Sequence, residues 1–216
     1  MSEIRIIAVS DIHGKEESLP MVLEIIKEKK ADLLVVCGDI TQFGKPKGWA
    51  KKFLDSIPVK AVAVPGNCDP PEEVIGDMEK SRGTNLHAKK VVIENTVFVG
   101  FGGGPLSPHE LPFEIPEETV YSTLDGLMEY YAVLVTHAPP RGHLDKPTPD
   151  VSLGSDAIAQ IVAKYKPRAV FSGHVHEARG IEREGDTVFV NPGPAKDGFA
   201  AFAVIKENGE IEAELL

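Results

Sequence analysis

The sequence predicts an α/β fold in four layers, two β-sheets packed face to face with helices outside, within a single domain over residues 1–216. Three observations lead there. The first half alternates short apolar, β-branched runs with segments of helical periodicity. The second half is rich in short strands with Gly or Asn at the turns. Polar residues able to do chemistry follow directly on the apolar runs. A chain of 216 residues can bury one substantial core and is too short for two independent ones.

Ile4 to Val9 reads as a strand buried on both faces. Leu19, Val22, Leu23 and Ile26 then recur at helix spacing, with Pro20 tolerated near the helix start. Leu33 to Cys37 is a second buried strand, Trp49, Phe53 and Leu54 mark a second helix, and Val59 to Val64 a third strand. Pro70-Pro71 opens a third helix. This β-α-β-α-β order implies parallel strands joined by right-handed crossovers. Val91 to Ile93 and Val97 to Phe101, a short polar step apart, read as a hairpin. Tyr131 to Val135 and Ala169 to Phe171 are further strands, separated by a helix carrying Ile158, Ile161, Val162 and Tyr165. Short strands near 178–183, 187–190, 199–205 and 210–215 are expected to form an antiparallel meander. Two long proline-rich stretches, 102–118 and 138–153, carry apolar residues able to pack and are expected to form the rims of a site.

Composition narrows the function. A hydrophobic fraction of 42% with 26% charged residues is that of an ordinary soluble domain, and no apolar run reaches the roughly 18 residues of a membrane span. No secretory signal is visible at the N-terminus, so a cytoplasmic protein with no membrane partner is expected. Two cysteines, Cys37 and Cys68, are too few for a disulfide-built fold, although the two could approach one another at the same sheet edge. The net charge of −10, with no basic cluster, argues against extended nucleic acid as a partner. An anionic substrate would need something local and strongly positive. A pair of divalent cations would serve.

The residues following each buried strand fit that idea. They are Asp11-Ile12-His13, Gly38-Asp39, Gly66-Asn67-Cys68-Asp69, Thr136-His137 and Gly173-His174-Val175-His176. Ligands of open α/β sheets bind at these carboxyl ends. Asp11 and His13, like His174 and His176, are two apart, which in extended chain turns both side chains to one side. Asp39 has two oxygens and could bridge two ions; Asn67 offers a neutral amide oxygen. Imidazole and oxygen donors together suit two divalent ions, Mn2+ first, with Ni2+, Fe2+/Fe3+, Zn2+ or Co2+ as alternatives. Two metals roughly 3.5–4 Å apart can clamp a phosphate and hold a hydroxide in line for attack. Taken singly, each block has a structural reading. Asp11 and Asp39 could cap helices, and Gly66-Asn67 could be a turn. Jointly those readings require four of the seven histidines to fall by accident at strand ends. Gly100 to Gly104 is no dinucleotide fingerprint, because Pro105 and a proline-rich stretch follow in place of a helix; these glycines could let backbone approach the metal edge.

Asp11-x-His13, Gly38-Asp39, Gly66-Asn67, His137 and Gly173-His174-x-His176, in this order, resemble the calcineurin-like metallophosphoesterase family. The likeness runs from the first strand to His176, and Asn191-Pro192-Gly193 is also similar to family members. The resemblance implies a four-layer α/β/β/α sandwich holding two divalent ions. Asp11, His13, Asp39 and His176 would bind one, and Asp39, Asn67, His137 and His174 the other, with Asp39 bridging. The family's Gly-Asn-His block departs here, with Cys68 in place of the histidine that protonates the leaving group. A thiol is a less suitable acid near neutrality than imidazole. Asp69, which would orient that histidine, becomes either a cap for the helix after Pro70 or a support for the ligands. His109 or His143, both in the long loops, could replace the acid.

The expected function is a dinuclear metal-dependent phosphoesterase, hydrolysing small phosphodiesters by attack of a metal-bridging hydroxide. The alternatives are a phosphomonoesterase or pyrophosphatase with the same metals, and a non-catalytic metal-binding scaffold such as the retromer-subunit branch that resembles this fold. Asp39, Asn67, His137 and Cys68 stand at the catalytic positions. The expected partner is a small phosphate ester, with a homo-oligomer left open.

Overall fold

A computed structural model describes residues 3–216. Its elements in order are β1 (Ile4–Val9), α1 (Ser18–Lys29), β2 (Leu33–Cys37), α2 (Trp49–Ser56), β3 (Lys60–Val64), α3 (Pro71–Glu79), β4 (Thr84–Asn85), β5 (Lys89–Ile93), β6 (Thr96–Phe101), α4 (Glu117–Leu127), β7 (Val133–Thr136), α5 (Asp156–Tyr165), β8 (Ala169–Phe171), β9 (Gly180–Glu184), β10 (Thr187–Asn191), β11 (Ala201–Ile205) and β12 (Ile211–Leu215). The strands form two six-stranded sheets, one ordered β12-β11-β1-β2-β3-β4 and the other β5-β6-β7-β8-β10-β9.

The layers follow from the two-residue period of the strands. In β1, Ile6 and Ala8 enter the core between the sheets while Ile7 and Val9 face the helices. β2 repeats this, with Leu33 and Val35 inward and Leu34 and Val36 outward. Between the sheets, Phe98, Val133, Val135, Phe171 and Val190 of the second meet Ile6, Leu33, Val35 and Val62 of the first. Val22 and Ile26 of α1 and Trp49 and Phe53 of α2 cover the outer face of the first sheet. Val120 and Leu124 of α4 and Ile158 and Ile161 of α5 cover the second. Fully burying one such aliphatic or aromatic side chain contributes about 1.5–3 kcal/mol, so these three clusters hold the sandwich together. No described helix is long and apolar enough to cross a membrane.

Strands β1, β2 and β3 pair in parallel, as their crossover helices require. The β5–β6 hairpin turns through Glu94 and Asn95, both at positive φ as a tight two-residue turn demands. One expectation needs correction, and two elements, α4 and β4, were not foreseen. The strands after Ala178 do not form one meander. β9 and β10 pair antiparallel in the second sheet, while β11 and β12 cross to the first. β10 already has β8 on one side and β9 on the other, whereas β1, paired with β2, still has an open edge that β11 fills. Ala201, Ala203 and Ile205 then complete the core between the sheets. The rim stretch 102–118 ends in α4, whose buried stripe is only Val120 and Leu124. The short strand β4 extends the first sheet beyond β3. Cys37 and Cys68 are both free thiols.

Candidate metal centre

The carboxyl ends of β1, β2 and β3 in one sheet and of β7 and β8 in the other open on the same crevice. Asp11 and His13 follow β1, Asp39 follows β2, Asn67 follows β3, His137 follows β7, and His174 and His176 follow β8. Contacts across the sheets bind these loops together. His137 Nδ1 hydrogen-bonds the Cys37 carbonyl at 2.8 Å and its Nε2 meets Asn67 Oδ1 at 2.8 Å. The His174 amide donates to Asp11 Oδ2 at 3.1 Å. Asn191 holds the His174–His176 loop from behind, donating Nδ2 to the Val175 carbonyl and accepting from the Gly193 amide.

Three overlapping groups of donors result among the described residues, one of them His13, Asp39 and Cys68. Asp11, His13 and His176 lie together, with His176 Nε2 3.1 Å and His13 Nε2 3.8 Å from Asp11 Oδ1. Asp11, Asp39 and His137 form the remaining group. Asp39 turns Oδ2 towards His13 Nε2 at 3.7 Å and Oδ1 towards His137 Nε2 at 3.6 Å. His137 and His174 meet edge-on, their centroids 5.1 Å apart. Both ring nitrogens of His13 are buried with no hydrogen-bond partner among the described residues. Buried polar atoms are rarely left so. Two orphaned imidazole nitrogens converging with carboxylates and further imidazoles fit divalent ions well.

The backbone here is held in conformations side chains seldom adopt. Asp11 (φ 54°), His13 (φ 48°), Asp39 (φ 49°) and His174 (φ 68°) all lie in the left-handed region. Each costs on the order of 1 kcal/mol or more, and such strain clusters where geometry is dictated by function. Close packing helps to enforce it. A Cβ at Gly66 would overlap Asp39 Oδ1, and one at Gly104 would come within 3.0 Å of Asn67 Cβ. The glycine run after β6 therefore does let backbone approach the crevice, and the Phe113 amide donates to the Asn67 carbonyl from the same rim.

Electrostatics in the crevice are strained in the same way. Burial pushes the Asp39 carboxyl up to about 7, aided by the negative charges of Asp11 and Asp69 and resisted by His137. Burial would raise Asp11 too, but contact with His176 and the charge of His137 outweigh it and hold Asp11 well below the usual carboxylate range. Burial lowers His13 to about 4 and His174 to about 3, so both are neutral near pH 7. Although burial works against it, His137 is raised by Asp39 and Asp11. Crowded carboxylates with neutral imidazoles are an environment that a dication relieves.

Asp69 proves to be a brace. Its carboxylate accepts from the Ile40, Thr41 and Gly66 amides and from the Thr41 hydroxyl at 2.6–3.0 Å, tying the Asp39 loop to the Asn67 loop. It does not cap α3, whose N-cap is Pro70 with no side-chain bond. Cys68 lies within the crevice near His13 and Asp39. Burial, then the Asp39 charge, push its thiol far up. His143 is not in the crevice cluster: it stacks on Phe189 at 3.9 Å and contacts Glu182 and Glu184 of β9. His109 is exposed on the rim stretch. Sequence reasoning missed Ser10, which donates to the Cys37 carbonyl, and Thr41; neither belongs to a spaced pattern.

This sandwich, with acid and imidazole donors gathered at the ends of its parallel strands, is the architecture of metal-dependent phosphoesterases. The family model for calcineurin-like phosphoesterases matches residues 4–178, and the chain belongs to that family. It is 38% identical over 202 residues to MJ1162 of Methanocaldococcus jannaschii, covering 88% of each chain. A 74-residue stretch is 34% identical to the phosphodiesterase YfcE of Escherichia coli, covering 31% of this chain and 40% of that one. The crystal structure of TT1561 of Thermus thermophilus superposes with a TM-score of 0.78 at 18% identity, covering 99% of each chain, a likeness of fold.

Proposed function

We propose that the crevice is a dinuclear centre for hydrolysing small phosphodiesters. The observation that carries this reading is the orientation of Asp39, whose two oxygens face His13 on one side and His137 on the other. Asp11, His13, Asp39 and His176 would hold one ion, and Asp39, Asn67, His137 and His174 the second. Bound, the ions would supply an activated water at neutral pH and offset the charge of the phosphate. Mn2+ suits the mixed oxygen and imidazole donors.

The protein's own residues fix the arrangement. The Cys68 amide and the strained backbone of residue 39 aim the two carboxylate oxygens of Asp39. His137, hydrogen-bonded to the Cys37 carbonyl through Nδ1, presents Nε2 to the crevice. Asp69 keeps the Asp39 and Asn67 loops at a fixed separation.

The diester preference is supported by what stands where the family carries a general acid. The Cys68 thiol, with its proton affinity raised by burial and by Asp39, is a poor proton donor to a leaving alkoxide near pH 7. Esters with acidic leaving groups need no such donor. The short likeness to a named phosphodiesterase points the same way.

The test is turnover of bis(4-nitrophenyl) phosphate and of 4-nitrophenyl phosphate by metal-stripped protein titrated with Mn2+, beside Asp39→Asn. Diester turnover that rises with metal and is lost in the variant supports the reading. Faster turnover of the monoester would replace the diesterase with a phosphomonoesterase. Absence of both, across the common divalent ions, would favour a non-catalytic scaffold.

A further inference from the structure

Lys196 stands beside the crevice, supplied by the segment in which the chain crosses from β10 to β11. That segment is pinned to the end of β1. The Ala195 amide donates to the Ser10 carbonyl at 2.7 Å, and the Lys196 amide to the Asp11 carbonyl at 3.3 Å. On its other side, the Lys196 carbonyl accepts from Lys15 Nζ. Lys196 is thus anchored to the loop that carries Asp11 and His13.

Its side chain is half-buried, and its charge is felt by both His13 and His176, opposing the protonation of each. Yet among the described residues its ammonium has no carboxylate or carbonyl partner. Elsewhere in this acidic chain, Lys29, Lys51, Lys60, Lys89 and Lys164 each sit against a carboxylate. A half-buried cation left unpaired beside a metal centre is placed for a ligand anion.

The charge balance points the same way. Against two divalent ions, the carboxylates of Asp11, Asp39 and Asp69 leave about one positive charge, which the attacking hydroxide would cancel. A monoanionic diester would then add one negative charge, which the Lys196 ammonium is placed to offset.

We propose that Lys196 is a substrate-binding residue, its ammonium donating to a non-bridging oxygen of the scissile phosphate on the His13 and His176 side of the centre. This rests on the dinuclear phosphoesterase reading and adds to it a contact that the five strand-end blocks do not contain. The Lys196 side chain leaves the donor set of the metals untouched.

The test uses Mn2+-loaded wild type, Lys196→Met and Lys196→Arg. Inorganic phosphate is titrated calorimetrically into each, bound metal is counted by elemental analysis, and KM and kcat are measured with bis(4-nitrophenyl) phosphate. The expected result for Lys196→Met is phosphate affinity weakened about tenfold, the usual cost of one charge-assisted hydrogen bond. KM should rise in proportion, kcat should change less, and metal content should stay equal. Lys196→Arg should recover most of the affinity. Unchanged phosphate affinity in Lys196→Met overturns the proposal, as does a loss that tracks a loss of metal. Phosphate titration needs no turnover. A wild type that binds phosphate but cleaves no ester would therefore sink the esterase reading while still deciding the role of Lys196, and a loaded wild type that binds no phosphate overturns the proposal itself.

Discussion

The backbone amide of Cys68 donates to Asp39 Oδ1 at 2.8 Å. The main chain of residue 68 therefore aims a carboxylate of the centre, whatever side chain that residue carries. The position that departs from the family's pattern keeps a structural duty while its thiol is left with no established one.

Cys68→Ala is accordingly expected to fold as wild type and to retain bis(4-nitrophenyl) phosphate turnover. Its loss should fall well short of the ~100-fold that removing a working general acid costs. In the metal-free protein both thiols are pushed up, Cys37 by burial first and Cys68 by burial and then the Asp39 charge. Alkylation by iodoacetamide at pH 7.5 should be slower than that of a free cysteine, since the thiolate is the nucleophile. Fast modification of Cys68 would contradict this electrostatic picture.

Asp39→Asn is expected to stabilise the metal-free protein while abolishing turnover. The folded value of about 7 lies above the ordinary carboxylate value of 3.8. The stability associated with its protonated form is thus complete below about 3.8 and lost as pH rises through about 7. The variant's advantage should grow across that window and level off above it, reaching roughly a few kcal/mol at about 1.4 kcal/mol per pKa unit. Thermal unfolding in EDTA between pH 4 and pH 8 measures it, and a variant no more stable than wild type at pH 8 would refute it.

Metal binding is expected to strengthen with pH and to release protons. Despite burial, His137 is raised by the charges of Asp39 and Asp11; His176 is raised by its contact with Asp11. An ion must displace whatever protons those imidazoles hold. Mn2+ at 100 times its Kd should stabilise the fold by about 2.7 kcal/mol, reversed by chelation. Calorimetry in buffers of different ionisation enthalpy counts the protons; a count of zero at pH 6 would be incompatible with the raised values.

Asp69→Ala removes the acceptor for three buried amides and the Thr41 hydroxyl. Each orphaned buried donor costs about 1–3 kcal/mol, so a loss of roughly 3 kcal/mol or more is expected in urea unfolding. Metal affinity should fall with it, because the Asp39 and Asn67 loops lose their tie. A variant within 1 kcal/mol (roughly the value of one net hydrogen bond) would show that the brace is dispensable.

Much of the candidate site was legible because each candidate donor follows its strand directly in sequence. A buried apolar run ending in Asp11-Ile12-His13 or Gly38-Asp39 shows both the element and what it presents. What escaped depends on partners distant in sequence. The destination of β11 is set by the free edge of β1, some two hundred residues away, and periodicity within β11 says nothing of it. Helix α4 buries only Val120 and Leu124, too thin a stripe to read. The bracing role of Asp69 is fixed by amides of residues 40 and 41, and Lys196 is one lysine among many until the crossing segment lays it against Asp11.

The crossing of the late strands between the sheets also bears on how the molecule is made. The region matched by the family model stops at residue 178, before β9, β10, β11 and β12. A fragment cut there would leave β8 without β10 and β1 without β11, stripping a neighbour from an interior strand of each sheet. It should aggregate through those bare edges rather than fold. During synthesis, β1 waits some two hundred residues before β11 pairs its second edge. Until residues 201–205 are made, that edge of β1 is bare, and growing chains should depend on its protection.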